Sequence, residues 1–393
     1  MAIDRIAEPA GPGRALVEHA GLADVEAIRL LLQGDSVIDW HQLSFCDYDE
    51  IDRFLRINEF DPDSLDELNR LEVLREEAVE YLKNNFGYRV PPEVSDGVPV
   101  RELFLLASQK GRRQTYACVV LKVMHVIHHL AGRELAFKLP MSNDQVFGLV
   151  EQKVLKVVEE IRAAGHPVTE FAWSRKERDS LITKLLAKRT SIAASVYDKL
   201  RFRLITRSVE DLVPVLFELM HRLIPFNYII PGESVNSILP FRSLVEHTPS
   251  FRRYADQLQD PIDRNADLRP SGNEFSGAAY RVINFVADLP VRVDEYVDQL
   301  GDGSSDLGNV IFVLTEFQVM DAATAHDNEQ GDSSHAAYTE RQRDRVKVRL
   351  VGGARAQRGR DLKAALEQAA LPEAEGGSAG ASGSDTDDAD DDD

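Results

Sequence analysis

Two short blocks place acids in patterns that suit chemistry: Tyr197-Asp198-Lys199-Leu200-Arg201-Phe202-Arg203 and Thr315-Glu316-Phe317-Gln318-Val319. Each sets one carboxylate against alternating apolar residues, Leu200, Phe202 and Leu204 in the first, Ile311, Val313, Phe317 and Val319 around the second. That alternation predicts a strand in both. As neighbours in one sheet, the strands would let Asp198 and Glu316 hold a single divalent cation from the same end. A carboxylate pair with few other protein ligands suits Mg2+ bound together with a nucleotide phosphate, so the pair is a candidate phosphoryl-transfer centre.

The surrounding charge points the same way. The 393 residues carry a formal net charge of -20, yet residues 175–207 hold Arg175, Lys176, Arg178, Lys184, Lys188, Arg189, Lys199, Arg201, Arg203 and Arg207. Only Glu177, Asp179 and Asp198 oppose them, ten minus three, or +7. A basic island in an acidic chain calls for an anion. An amphipathic helix with a solvated cationic face accounts for part of the set over 175–189. Arg201 and Arg203 need another explanation, because they alternate with Leu200, Phe202 and Leu204 and so share the opposite face of the strand, beside Asp198. Cations there neutralise the polyphosphate charge that a metal leaves over.

In order along the chain these residues resemble the RelA/SpoT-type alarmone synthetase domain. Ser191-Ile192 after the basic stretch, Asp198 with Arg203 on a strand, Val209-Glu210-Asp211 at a helix start and Tyr228-Ile229-Ile230-Pro231 at a strand end match its successive elements. Glu316-Phe317-Gln318-Val319 matches its Glu-x-Gln strand, and Glu329, Gly331, His335 and Tyr338 match a further signature in "NEQGDSSHAAY". The resemblance covers roughly residues 143 to 350.

The resemblance implies an α+β fold, a nucleotidyltransferase-like mixed sheet flanked by helices, and transfer of pyrophosphate from ATP to the 3′-hydroxyl of GDP or GTP. In that scheme Asp198 and Glu316 bind Mg2+, and Glu316 also accepts the proton of the attacking hydroxyl. Lys184, Lys188, Arg189 and Arg203 would hold the ATP phosphates. Gln318, Glu329 and His335 would position the acceptor guanine nucleotide, and Tyr280, outside the family pattern, is a further candidate for contact with the acceptor base. One metal pair and a cationic cradle are sufficient equipment, since this chemistry depends mainly on positioning and charge neutralisation.

Two departures concern the acceptor. Where the family stacks a Tyr on guanine within Asn-Gly-Tyr-x-Ser-Leu-His, this chain reads "GNEFSGAAYRVINF", with Ala278 after Gly277 and Tyr280 two places on. Tyr280 also begins the apolar run Tyr280, Val282, Ile283, Phe285, which suits a half-buried strand aromatic. An insertion from Gly232 to Pro270 carries Phe241, Phe251 and Tyr254 and is a candidate lid or partner surface. An aromatic from it, Phe241 or Tyr254, is an alternative stacking partner. Transfer to the 3′ end of tRNA, and a non-catalytic nucleotide-binding or interaction role, remain the alternative functions.

Three domains follow: a mostly helical region over 1–142, the synthetase-like domain over 143–352 with its insertion at about 232–270, and over 353–393 a short helix and a disordered acidic tail. Seven Asp occupy the last nine positions; without them the net charge is -13, and such a run cannot bury apolar surface. In the first region "LADVEAIRLLLQG", "DSLDELNRLEVLREEAVEYLKNNFG" and "RQTYACVVLKVMHVIHHLAG" show helical periodicity, each stopped by Gly, the second capped by Asp63 or Ser64. Residues 39–60 read as loop and short helix. His125, His128 and His129 have metal-capable spacing but no nearby acid or Cys, so they read as structural. No His-Asp pair precedes residue 140, which argues against the hydrolase domain that often precedes this family's synthetase. Cys46 and Cys118 read as small buried apolar residues in a reducing compartment. No apolar run is long enough for a membrane span, so a cytoplasmic protein without membrane contact, as a monomer or homo-oligomer, is expected.

Overall fold

The computed structural model describes residues 12–35, 43–187, 200–258, 268, 275–277, 279–299 and 307–351. Among the described residues eight helices come first: α1 (Pro12–Glu18), α2 (Leu22–Gln33), α3 (Tyr48–Ile57), α4 (Leu65–Phe86), α5 (Pro92–Ser95), α6 (Val100–Ser108), α7 (Arg112–Lys138) and α8 (Asn143–Ala163). There follow β1 (Val168–Arg175), α9 (Arg178–Ala187), β2 (Leu200–Thr206), α10 (Leu212–Arg222), β3 (Val235–Asn236), α11 (Phe241–His247) and α12 (Pro249–Arg252). The last are β4 (Ile283–Arg292), α13 (Asp294–Val297), β5 (Val310–Asp321), α14 (Ala322–Asn328) and α15 (His335–Val351).

Local chemistry sets several boundaries. Ser64 caps α4, its hydroxyl accepting from the Glu67 amide at 3.4 Å, and Ser142 and Gln145 form a reciprocal capping box at α8. Gly34 and Gly87 end α2 and α4 at φ of 67° and 62°, a left-handed conformation that side chains resist. The glycine at 132 does not stop the third periodic run, contrary to the sequence expectation: α7 continues through it to Lys138. A Cβ there would lie 2.5 Å from a Phe312 ring carbon and 2.7 Å from the Val310 carbonyl oxygen. Gly132 therefore serves the close approach of α7 to β5.

The sheet has the order β1-β2-β5-β4-β3. β2 and β5 run parallel, and the other pairs are antiparallel. This is the mixed sheet among helices that the motifs lead one to expect. β5 is buried along nearly its whole length, as a central strand must be. Register then sorts the faces. Phe202, Phe317 and Phe285 align across β2, β5 and β4 with ring centroids 5.6 and 5.4 Å apart. The intervening residues Arg201, Arg203, Glu316, Gln318 and Asn284 fall on the other face, because side chains alternate along a strand. On that second face α7 packs against Phe312 near the start of β5, and His129 Nε2 meets Asp288 Oδ2 of β4 at 2.7 Å.

α1 and α2 contribute Val17, Val25, Ile28 and Leu31 to the same apolar cluster as the sheet. Residues from α3, α4, α6 and α7 form a second cluster around Ile51, Leu55, Ala78 and Leu103. Phe241 and Phe251 of the insertion are fully buried in the first cluster, which removes Phe241 as a stacking partner. Cys118 is buried as expected, but Cys46 is exposed, since it lies just ahead of the Asp47 cap of α3. No helix of the described residues is long and apolar enough to cross a membrane.

Candidate active site

The floor of the site is built by the register of β2, β5 and β4. Arg201 stands opposite Glu316 and Arg203 opposite Gln318, while Gln318 faces Asn284 on the other side. Arg201 Nε donates to Glu316 Oε2 at 2.7 Å, and Gln318 Nε2 lies 3.4 Å from Glu316 Oε1. Arg203 reaches Gln318 Oε1 from Nη2 at 3.3 Å and from Nε at 3.4 Å. Glu316 is 7% exposed, so its carboxylate is held by neighbouring donors with little help from water. Asn284 Oδ1 is buried with no hydrogen-bond partner. An unpartnered acceptor beside a charged pair is costly.

These side chains line a cleft of about 780 Å³, within the range of small-molecule sites. Lys176, Thr183 and Lys184 come from the β1–α9 side, and Tyr338, Gln342 and Arg343 from α15. The cleft carries Arg175, Lys176, Lys184, Arg201, Arg203 and Arg343 against Glu177, Asp179, Glu316 and Glu329, six minus four, or +2. Its wall is thus cationic within a chain of net charge -20. Arg175 is already engaged by α8, donating to both Glu151 oxygens at 2.7 and 2.8 Å and to Asp144 at 2.9 Å.

Tyr280 enters the cleft from the loop ahead of β4. Two clamps fix that loop. Asn328 of α14 accepts from the Arg281 amide at 3.0 Å and donates to its carbonyl at 2.6 Å. Arg341 of α15 donates to the carbonyls of Phe275 and Asp332, both at 2.8 Å, and a Cβ on Gly277 would sit 2.7 Å from the latter oxygen. Burial, chiefly, raises the Tyr280 pKa, so the ring stays neutral. A half-buried neutral aromatic at a cleft wall is equipped to stack on a planar group.

Of the candidates named from sequence, Lys184, Arg203, Tyr280, Glu316, Gln318 and Glu329 meet around this cleft. Asp198, Lys188 and Arg189 lie outside the described residues. His335 begins α15, and its side chain is likewise outside them. Among the described residues no group of three or more His, Cys, Asp or Glu could hold a metal. His125 and His128 are held neutral by burial, which lowers their pKa values to about 4 and about 3. Sequence reasoning did not find Asn284 or the pairing of Arg201 with Glu316. The position of Arg201, two before Arg203, was a signal for the shared face; the partner needed the parallel register.

No family model matches the chain, and no curated protein matches it. Similar solved structures include the small alarmone synthetase 1 from Bacillus subtilis, at 13% identity over 56% of this chain and 93% of that one, TM-score 0.28. The same protein bound to its product pppGpp is 17% identical over 56% of this chain and 86% of that one, TM-score 0.29. A GTP pyrophosphokinase family protein from Streptococcus pneumoniae is 14% identical over 58% and 93%, TM-score 0.27. These are proteins of the kind that the motifs resemble; TM-scores this low add no weight, and the candidate site stands on its own residues.

Proposed function

We propose that the chain is a Mg2+-dependent pyrophosphokinase of the RelA/SpoT type, transferring pyrophosphate from ATP to the 3′-hydroxyl of GDP or GTP. One observation carries the reading. Candidate residues from separate segments, Lys184, Arg203, Tyr280, Glu316, Gln318 and Glu329, line one cationic cleft, and a cradle of fixed cations is the main requirement for moving a polyphosphate. Lys184 and Arg203 would bind the phosphates of ATP. Tyr280 would stack on the acceptor base, with Gln318 and Glu329 orienting the acceptor. Glu316 would take the proton as the 3′ oxygen bonds to the β-phosphorus and AMP leaves with the oxygen bridging the α- and β-phosphates.

Mg2+ would be held by Glu316 and Asp198 and would neutralise phosphate charge. The hard carboxylate oxygens of Glu316 suit such an ion. Incubating the purified protein with γ-labelled ATP and GDP, GTP, ATP or deacylated tRNA tests the reading. Label is expected on GDP or GTP; label on tRNA alone would replace this acceptor, and label on none would remove the activity.

A further inference from the structure

The positive charge of the cleft continues beyond its rim. α15, whose Tyr338, Gln342 and Arg343 line the cleft, carries Arg341, Arg343, Arg345, Lys347 and Arg349 against Glu340 and Asp344, five minus two, or +3. It packs along α9, with Arg349 donating to the Leu186 carbonyl near the α9 C-terminus. α9 in turn supplies Thr183 and Lys184 to the cleft. The cationic wall therefore extends along α15 to Val351, where that helix ends.

The sequence that follows carries the opposite charge, and only at its far end. Residues 352–384 hold Arg355, Arg358, Arg360 and Lys363 against Asp361, Glu367, Glu373 and Glu375, four minus four, or zero. The seven Asp of residues 385–393 thus have no net counter-charge on the chain between them and α15. Reach is sufficient. Arg343 lies eight residues before Val351 on the helix, about 12 Å at 1.5 Å per residue. Asp385 lies 34 residues after Val351, and a flexible chain of that length spans about 30–35 Å. A tether of this size sets an effective concentration on the order of 1 mM, so even a weak contact is populated.

We propose that the aspartate run 385–393 docks in the cationic cleft and competes there with the polyphosphate substrate, an inhibitor carried by the chain itself. A carboxylate at nearly every position offers Lys and Arg what a polyphosphate offers: closely spaced anionic oxygens that accept charge-assisted hydrogen bonds. Seven negative charges on nine residues meet the +2 of the cleft and the +3 of α15, with Arg343 common to both. That is charge complementarity of the kind that selects partners. The contact is also displaceable, because exposed ion pairs are individually weak and screened by salt. Competition rests on the cleft being the polyphosphate site; docking rests on charge and tether alone.

The test is fluorescence anisotropy of a labelled peptide of residues 384–393 with three full-length proteins. These are the wild type, a variant with the seven aspartates of 385–393 replaced by asparagine, and that variant carrying Lys184→Gln and Arg343→Gln in addition. At about 0.05 M salt the asparagine variant should bind the peptide saturably, with a Kd at or below about 1 mM. The wild type should bind it at least about fivefold more weakly, because its own tail occupies the cleft. Removing Lys184 and Arg343 should weaken binding by a similar factor, and both ATP and about 0.5 M salt should release the peptide. Absence of saturable binding would overturn the proposal. So would equal binding by the wild type and the asparagine variant, binding indifferent to Lys184→Gln with Arg343→Gln, or a peptide still held by protein that calorimetry shows saturated with ATP. The peptide readout does not depend on transfer, so failure of the proposed reaction is seen separately, in the labelled-ATP assay.

Discussion

Replacing Arg201 with methionine keeps the aliphatic stem but removes the guanidinium that holds Glu316 at 2.7 Å. The side chains of the pair are 29% and 9% exposed, which decides the magnitude. Surface pairs contribute about 0.2–1 kcal/mol, whereas breaking a fully buried pair costs about 3–5 kcal/mol. This pair lies between, close to the roughly 1.5–3 kcal/mol of a hydrogen bond to a charged group. After Arg201→Met the carboxylate retains only Gln318 Nε2, at 3.4 Å, among the described donors. Urea unfolding of wild type, Arg201→Met, Glu316→Gln and the double variant isolates the pair as a cycle. We expect a coupling energy of about 2 kcal/mol. Additive single effects, with coupling under about 0.5 kcal/mol, would refute the claim that Arg201 positions Glu316.

Gly132→Ala should destabilise: the helix-propensity gain of about 1 kcal/mol is outweighed by contact with the Val310 backbone at 2.7 Å, since overpacking costs about 1–3 kcal/mol or more; an unchanged or raised melting temperature would contradict this. The folded pKa values of His125 and His128, about 4 and about 3, lie below the unfolded value of 6.5, so below that pH the unfolded chain takes up protons that the folded one refuses. Stability should thus be lost as pH falls from about 6.5 towards 4, by up to about 1.4 kcal/mol per unit for each histidine, and denaturant titrations of His128→Leu should show a shallower slope. Arg203→Ala should weaken ATP binding by about 1.5–3 kcal/mol, while Tyr280→Ala should raise the acceptor KM more than it alters ATP affinity. Titration calorimetry and initial rates separate the two, and equal effects on both ligands would remove their assigned roles.

Local signals were legible where local chemistry decides. The periodic runs ending at Gly34 and Gly87, and the serine that caps α4, are the helices and boundaries observed. The alternation around Leu200–Leu204 and Ile311–Val319 marks β2 and β5. Long-range contacts escaped the sequence. β1, an edge strand exposed over most of its length, lacks a clean apolar alternation, and Gly132 looks like a helix stop until Phe312 is placed beside it. Cys46 falls outside because it precedes a cap rather than joining a helix face. The clustering of Glu316, Gln318 and Arg203 could be anticipated from their motifs, whereas Asn284 needed the antiparallel register with Gln318, which no spacing encodes.

If the cleft moves pyrophosphate as a unit with Glu316 as its base, each transfer must leave AMP behind, and the fate of ATP is the measurement to make. Stoichiometry can be followed with ATP labelled on the adenine and, separately, on the β-phosphate, in the presence of GDP or GTP. One AMP is expected for each acceptor that gains the β-label, with loss of both products in Glu316→Gln while that variant still binds ATP. Release of ADP in place of AMP, or wild-type turnover by Glu316→Gln, would contradict it.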